Sequence, residues 1–444
     1  MSTKVSYTND AIQNSERDTV VEQAVGIAKH ELARLADEEC WQRAVQCAAE
    51  QSHGRLQWLP MSVAYGDAGM VLAYTALSKL EPNCGWEYVA HRHLERAVRF
   101  YEAVGRRFGF GLFMGLSGLL FAACYASSHG KQYRRMGQTL ANHLVKWLQE
   151  WLGTTKQSEL PFEAYDLMSG VTGVAASLIR ADEDFGGVYG ALTDILDWLI
   201  SRAQQGPMGF CTSAQDARPY IPYARSRVIN CGMAHGVPGI VAVLAIARIA
   251  GIRRPGIDEA IKRLSDWTVS MVDTSGPDGW RMPYAATVCG EAPQSDPKIA
   301  RVAWCYGLPG VARSLWLAGR ALGSTELQDF GAEALYHAAS QMAIDPGKYS
   351  PTFCHGLAGV LRIVQVFAAD TGRDEFTRLS HILTKAIMSS YTRKNPAGFQ
   401  NREDNGQVVD NCGLLNGSAG VALVLLSARE TDEMRGWDRI FLMH

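Results

Sequence analysis

Apolar positions along this chain follow two patterns, and both have the helical period. One is seen in VALVLLSA (Val421 to Ala428), which is apolar on nearly every side and suits a helix covered all round. The other is seen in QTLANHLVKWLQEWL (Gln138 to Leu152) and GIDEAIKRLSDWTVSMV (Gly256 to Val272), where apolar residues recur at helical spacing beneath a charged face. Covered and amphipathic segments alternate, which predicts hairpins of one inner and one outer helix.

Each covered segment is introduced by Gly-x-x-Gly. The phrase occurs as YGDAGMVLAY, MGLSGLLFAA, MSGVTGVAASL, AHGVPGIVAVL, CYGLPGVARSL, CHGLAGVLRIV and LNGSAGVALVL, with first glycines at 66, 115, 170, 236, 307, 356 and 417. By subtraction these glycines lie 49, 55, 66, 71, 49 and 61 residues apart, room for two helices and their connections. Seven hairpins with buried inner helices can stack as an open solenoid or close into a toroid. The paired glycines favour closure, because residues without side chains let neighbouring inner helices converge where a ring is narrowest. The expected fold class is therefore all-α, an α/α toroid of seven inner and outer helical hairpins. Residues 1–59 are expected to form an N-terminal helical segment and residues 60–444 a single toroid domain. Two loop-rich inserts, near 203–229 and 273–303, are rich in Gly, Pro and aromatic residues and are expected to lie over the mouth of the cavity.

Composition narrows the function classes. With 43 basic and 45 acidic residues the net charge is −2, which argues against a nucleic-acid partner. The N-terminus, MSTKVSYTNDAIQNSERDTVVEQ, lacks the apolar run of a signal peptide, so a cytoplasmic location is expected. FGFGLFMGLSGLLFAACYASSHG and CGLLNGSAGVALVLLSA approach the length of a membrane span, but glycines and polar residues interrupt them, and they read as buried helices rather than as an integral membrane protein. The 10 cysteines are scattered, so any metal or catalytic use must be argued from local context.

Within the repeat, the informative positions are those that depart from what packing needs. The residue before each first glycine is, in order, Tyr65, Met114, Ser169, His235, Tyr306, His355 and Asn416. One step earlier stand Ala64, Phe113, Met168, Ala234, Cys305, Cys354 and Leu415, so two adjacent repeats place a cysteine in the same slot. If equivalent slots point to one place, Cys305, Cys354 and His355 converge. Two thiolates and one imidazole form a zinc ligand set with an open fourth position, the arrangement of a catalytic site. Taken singly, each cysteine reads as a small core residue; the matched slots favour the metal. Such a centre is formally neutral and suits activation of a thiol as nucleophile. His235, in the neighbouring repeat, would handle the proton. Asp166 would fix the tautomer of that imidazole or serve as a plain helix cap. Arg301 would stabilise an oxyanion or pair with a carboxylate.

At these residues the sequence resembles the lanthionine synthetase C family, the lanthipeptide cyclases. RVAWCYGLPG, FCHGLAG, NCGMAHGVPG and YDLMSGVTG match the family pattern, and the Gly-x-x-Gly repeats extend the match over roughly residues 60 to 430. The resemblance implies one zinc ion held by Cys305, Cys354 and His355. It implies addition of a peptide cysteine thiolate to dehydroalanine or dehydrobutyrine in the same peptide, giving a thioether ring. It assigns protonation of the resulting enolate to His235, assisted by Asp166, and places Arg301 and Tyr306 near the site as enolate stabiliser or orienter. The implied partners are a dehydrated precursor peptide with its leader, a separate dehydratase and a membrane exporter complex, with the cyclase itself a monomer. Rival readings are a prenyltransferase subunit, whose metal set resembles Asp, Cys and His, and a non-cyclising relative that binds glutathione or acts as a scaffold.

Overall fold

The structure is a computed structural model and describes residues 3–154, 159–276, 279–289, 292–295, 298–403 and 405–444. Helices α1 (Thr3–Ala36) and α2 (Glu38–Gln51) precede the first Gly-x-x-Gly. Inner helix α3 (Asp67–Leu80) then pairs with outer helix α4 (Trp86–Val104), and α5 (Leu116–Ala126) with α6 (Arg134–Thr154). A single turn, α7 (Phe162–Tyr165), leads to the pair α8 (Val171–Asp184) and α9 (Tyr189–Ala203). After the short α10 (Ala214–Ala217) come α11 (Val237–Ile249) with α12 (Ile257–Ser270), α13 (Leu308–Leu322) with α14 (Thr325–Ile344), and α15 (Leu357–Thr371) with α16 (Asp374–Ser389). The last inner helix, α17 (Ser418–Leu426), packs back against α3 and closes the ring.

The chain is thus an α/α toroid. Its seventh pair is assembled from the two ends of the sequence, because α1 packs along α17 and occupies the outer position that no later helix fills. Glu31 of α1 is fully buried and accepts from the Gly398 N–H, while Arg34 donates to the carbonyls of Arg393, Asn395 and Pro396. The N-terminal helix is therefore tied to the final repeat by polar contacts, the Glu31 one buried, as well as by its apolar face.

A belt of backbone hydrogen bonds holds the inner-helix starts at one level. Val63 and Ala64 donate to the Phe113 carbonyl, Phe113 to Met168, Leu167 to Ala234, Ala234 to Cys305, Cys305 to Cys354, Cys354 to Leu415, and Leu414 and Leu415 to Ala64. The circuit returns to its starting residue, so the slot residues of all seven repeats form one rim.

The glycines are needed for a reason more local than convergence of inner helices. A Cβ added to Gly359 would lie 2.1 Å from the Phe353 carbonyl oxygen of its own entry turn and 3.2 Å from Trp304 Cβ of the preceding repeat. The turn before each inner helix folds back onto the second glycine, and the neighbouring repeat then packs against that turn. Gly307 adds a backbone requirement, with φ +105, where a side chain is strained.

The hole of the ring is filled from one end by the C-terminus. Trp437, Ile440, Phe441, Leu442 and Met443 are buried, with Phe441 stacked on Phe353 at 3.8 Å and edge-on to Trp304 at 5.0 Å. The Trp304 indole N–H donates to the Phe441 carbonyl, so this plug reaches the underside of the rim. Over the rim, strand β1 (Val228–Asn230) from the first insert pairs antiparallel with β2 (Ala285–Cys289) from the second, which pairs with β3 (Ala292–Ser295). A smaller hairpin, β4 (Asn401–Arg402) with β5 (Val408–Val409), stands beside the last repeat. No helix among the described residues is long and apolar enough to cross a membrane.

Candidate active site

Cys305 and Cys354 occupy adjacent slots and are joined by the backbone bond from the Cys305 N–H to the Cys354 carbonyl, 3.2 Å. Their side chains also meet. The Cys354 thiol donates to the Cys305 sulfur, and this contact, with the Arg301 guanidinium and His235 nearby, holds the Cys305 thiol below its ordinary range despite its burial. Cys354 is pushed well up by the same contact and by burial, so the two sulfurs differ in acidity although they touch.

His355 follows Cys354 in the chain, and its Nε2 lies 3.8 Å from Glu403 Oε2. Among the described residues no three His, Cys, Asp or Glu side chains already converge where a metal ion would sit. The donors nevertheless suit zinc in kind, since two soft sulfurs are in contact and an imidazole stands on the next residue.

One slot away, His235 Nδ1 lies 2.5 Å from Asp166 Oδ2. Its other oxygen accepts from the Ser169 and Gly170 N–H groups at 2.7 and 2.9 Å, in the turn before α8, whose cap residue is Gly170 rather than Asp166. One carboxylate thus shapes the turn before α8 and orients the imidazole. With Nδ1–H donated to the carboxylate, Nε2 of His235 is the nitrogen available for proton transfer. The two residues sit in linked turns, since the Leu167 N–H donates to the Ala234 carbonyl and the Ala234 N–H to that of Cys305.

Tyr306 lies between the thiol pair and the dyad, its ring 5.9 Å from that of His235. Asn230 Nδ2 donates to its hydroxyl at 2.9 Å, and burial pushes its pKa well up, so it is held as a neutral donor. Arg301 Nε donates to the Tyr284 hydroxyl at 3.5 Å and supplies positive charge to both thiols.

The site also contains residues to which the sequence reading gave no role. Tyr220, from the first insert, packs on His235 at 4.5 Å between ring centroids and donates to Glu163 at 2.8 Å. Tyr284, from the second insert, packs on Tyr306 at 5.1 Å. Asn230 carried a legible signal: Asn-Cys-Gly occurs at both 230–232 and 411–413, six residues before a first glycine, and each asparagine accepts from the glycine N–H two residues on. Tyr220 and Tyr284 carried none, because the inserts have no repeat against which to read them.

A closed α/α toroid whose rim gathers a thiol pair and a His–Asp dyad defines a class of protein, and comparison with known proteins gives it a family. The chain belongs to the lanthionine synthetase C-like protein family, which matches residues 57–442. It is 19% identical to the nisin biosynthesis protein NisC of Lactococcus lactis subsp. lactis over 393 residues, covering 86% of this chain and 89% of that protein. Its fold matches the solved structure of nisin cyclase with a TM-score of 0.73 at 17% identity, covering 92% of this chain and 98% of that one.

Proposed function

We propose that this protein is a lanthipeptide cyclase, which closes thioether rings by adding a peptide cysteine to dehydroalanine or dehydrobutyrine in the same chain. A separate dehydratase supplies that substrate. The observation that carries the reading is the joining of the Cys305–Cys354 thiol pair to the His235–Asp166 dyad through consecutive backbone-linked slots of one rim. Membership of the family and the likeness to NisC support it.

Cys305, Cys354 and His355 are the residues that would hold a single zinc ion. When bound, zinc supplies the Lewis acidity that lowers the pKa of an incoming thiol into the neutral range. The remaining chemistry falls to the side chains. The peptide sulfur forms a bond to the β-carbon, the carbon–carbon π electrons move toward the carbonyl, and an enolate results. His235 Nε2 delivers a proton to the α-carbon, while Asp166 stabilises the imidazolium and fixes its orientation. The Arg301 charge and the neutral Tyr306 donor face the negative charge that develops. One proton leaves the thiol and one is gained at carbon, so the peptide mass does not change.

The test is incubation of the zinc-loaded protein with a synthetic peptide carrying one cysteine and one dehydroalanine. The expected result is loss of free thiol at constant mass, with fragmentation showing a thioether bridge. Unchanged free thiol above the uncatalysed rate would overturn the assignment.

A further inference from the structure

On the side of the rim away from His235, the slots of the last and first repeats meet. Asn416 Nδ2 donates to the Tyr65 hydroxyl at 3.3 Å, across 351 residues of sequence. This repeats the pairing of Asn230 with Tyr306 on the other flank, so the thiol pair lies between two tyrosines, each held by an asparagine. The mechanism above uses only one of them.

Tyr65 is close enough to Cys305 and Cys354 that burial together with the charges of those sulfurs and Glu403 pushes its pKa well up, which keeps the hydroxyl protonated. Its oxygen accepts from Asn416, and among the described residues its O–H proton is donated to nothing. Asn416 Oδ1 is buried and accepts from no donor among the described residues. A free donor and a free acceptor therefore stand side by side. Both residues line a cleft of about 440 Å³ that runs outward past Glu403 to Arg55, between Ser52–Leu56 and the β4–β5 hairpin. That volume is in the range of sites that enclose a ligand.

We propose that the Tyr65–Asn416 pair binds one peptide unit of the substrate beside the reacting cysteine, Tyr65 donating to its carbonyl and Asn416 accepting its N–H, with the flanking chain lying in this cleft. The occupant is an extended peptide segment, because one backbone unit presents the complementary acceptor and donor together and because Tyr65, which lines the cleft, lies within reach of the charges of Cys354 and Cys305. The proposal rests on the cyclase reading for the identity of the peptide and not for the existence of the subsite.

The test uses the full chain and a fluorescent hexapeptide containing one cysteine, with two further versions N-methylated at the cysteine amide or at the following one. Dissociation constants are measured by anisotropy for the parent and for Tyr65→Phe, with and without zinc, and ring closure is followed in parallel on the dehydroalanine-containing peptide. Losing a hydrogen bond of this kind weakens binding by roughly three- to tenfold. Tyr65→Phe should raise Kd and KM by that factor while leaving kcat within about twofold and zinc content unchanged. One of the methylated peptides should lose a similar factor against the parent, a readout that does not depend on any variant folding. Wild-type affinity in Tyr65→Phe, with all three peptides bound equally, would overturn the proposal. Binding that responds to Tyr65→Phe and to N-methylation, without ring closure by the parent, would uphold the subsite and sink the cyclase assignment.

Discussion

The two ends of the toroid hole bury polar groups in opposite ways. At the plugged end the buried guanidinium groups are held in place: Arg313 reaches the Met443 carbonyl and Asp370, and Arg362 binds both Asp438 and Glu430. At the rim the polar groups are oriented but not exhausted. Asp166 fixes one nitrogen of His235, Asn230 holds Tyr306 by its oxygen, and the two thiols touch each other. The contrast separates burial that specifies a fold from burial that stores reactivity, since a guanidinium committed to two acceptors has little left to offer a substrate.

The largest effect should come from breaking the paired end. Removing Trp437–His444 would empty the ring and take from Arg313 its Met443 carbonyl and from Arg362 its Asp438 partner, and the truncated chain should not yield a folded monomer by gel filtration and circular dichroism. Phe441→Ala alone should cost about 3–5 kcal/mol in urea unfolding. Little change would mean that the plug is an accessory.

At the rim the ranking reverses. His235→Asn should slow ring closure by about 10²–10⁴-fold while shifting unfolding by less than about 1 kcal/mol. A large stability loss would place the dyad with the structural pairs and erase the comparison. Cys354→Ala should leave the chain folded but, by elemental analysis, with far less zinc than the single ion expected for the parent. Equal zinc in both would remove Cys354 from the ligand set.

The smallest effect concerns acid. Burial works against an ionised Asp438, but Arg362 and His444 outweigh it and hold the carboxyl well below the usual 3.8. The folded state therefore binds fewer protons than the unfolded one. The stability contributed by Asp438 is complete above about pH 4 and drains away as pH falls toward the folded value. Below pH 4 the parent should lose urea stability more steeply than Asp438→Asn, which starts lower and has no such proton to gain. Parallel curves would show that this charge does not set the acid limit.

The repeat was legible in the sequence because it is local. Gly-x-x-Gly, the covered helix after it and the slot residues before it lie within a dozen positions, and their sevenfold recurrence was enough to predict inner and outer helices and to favour a toroid over an open solenoid. The same slots named Cys305, Cys354, His355 and His235, local spacing added Asp166 and Arg301, and the family resemblance added Tyr306. What the sequence could not express were relations between its distant parts. The outer place beside α17 is taken by α1, the hole is filled by the last eight residues, Tyr220 and Tyr284 come from inserts outside the repeat, and Tyr65 finds Asn416 across 351 residues. Periodicity determines which face of a helix is buried and which turn must be glycine. Only closure of the ring decides which side chains meet across it, because that depends on how the first repeat and the last come together in space.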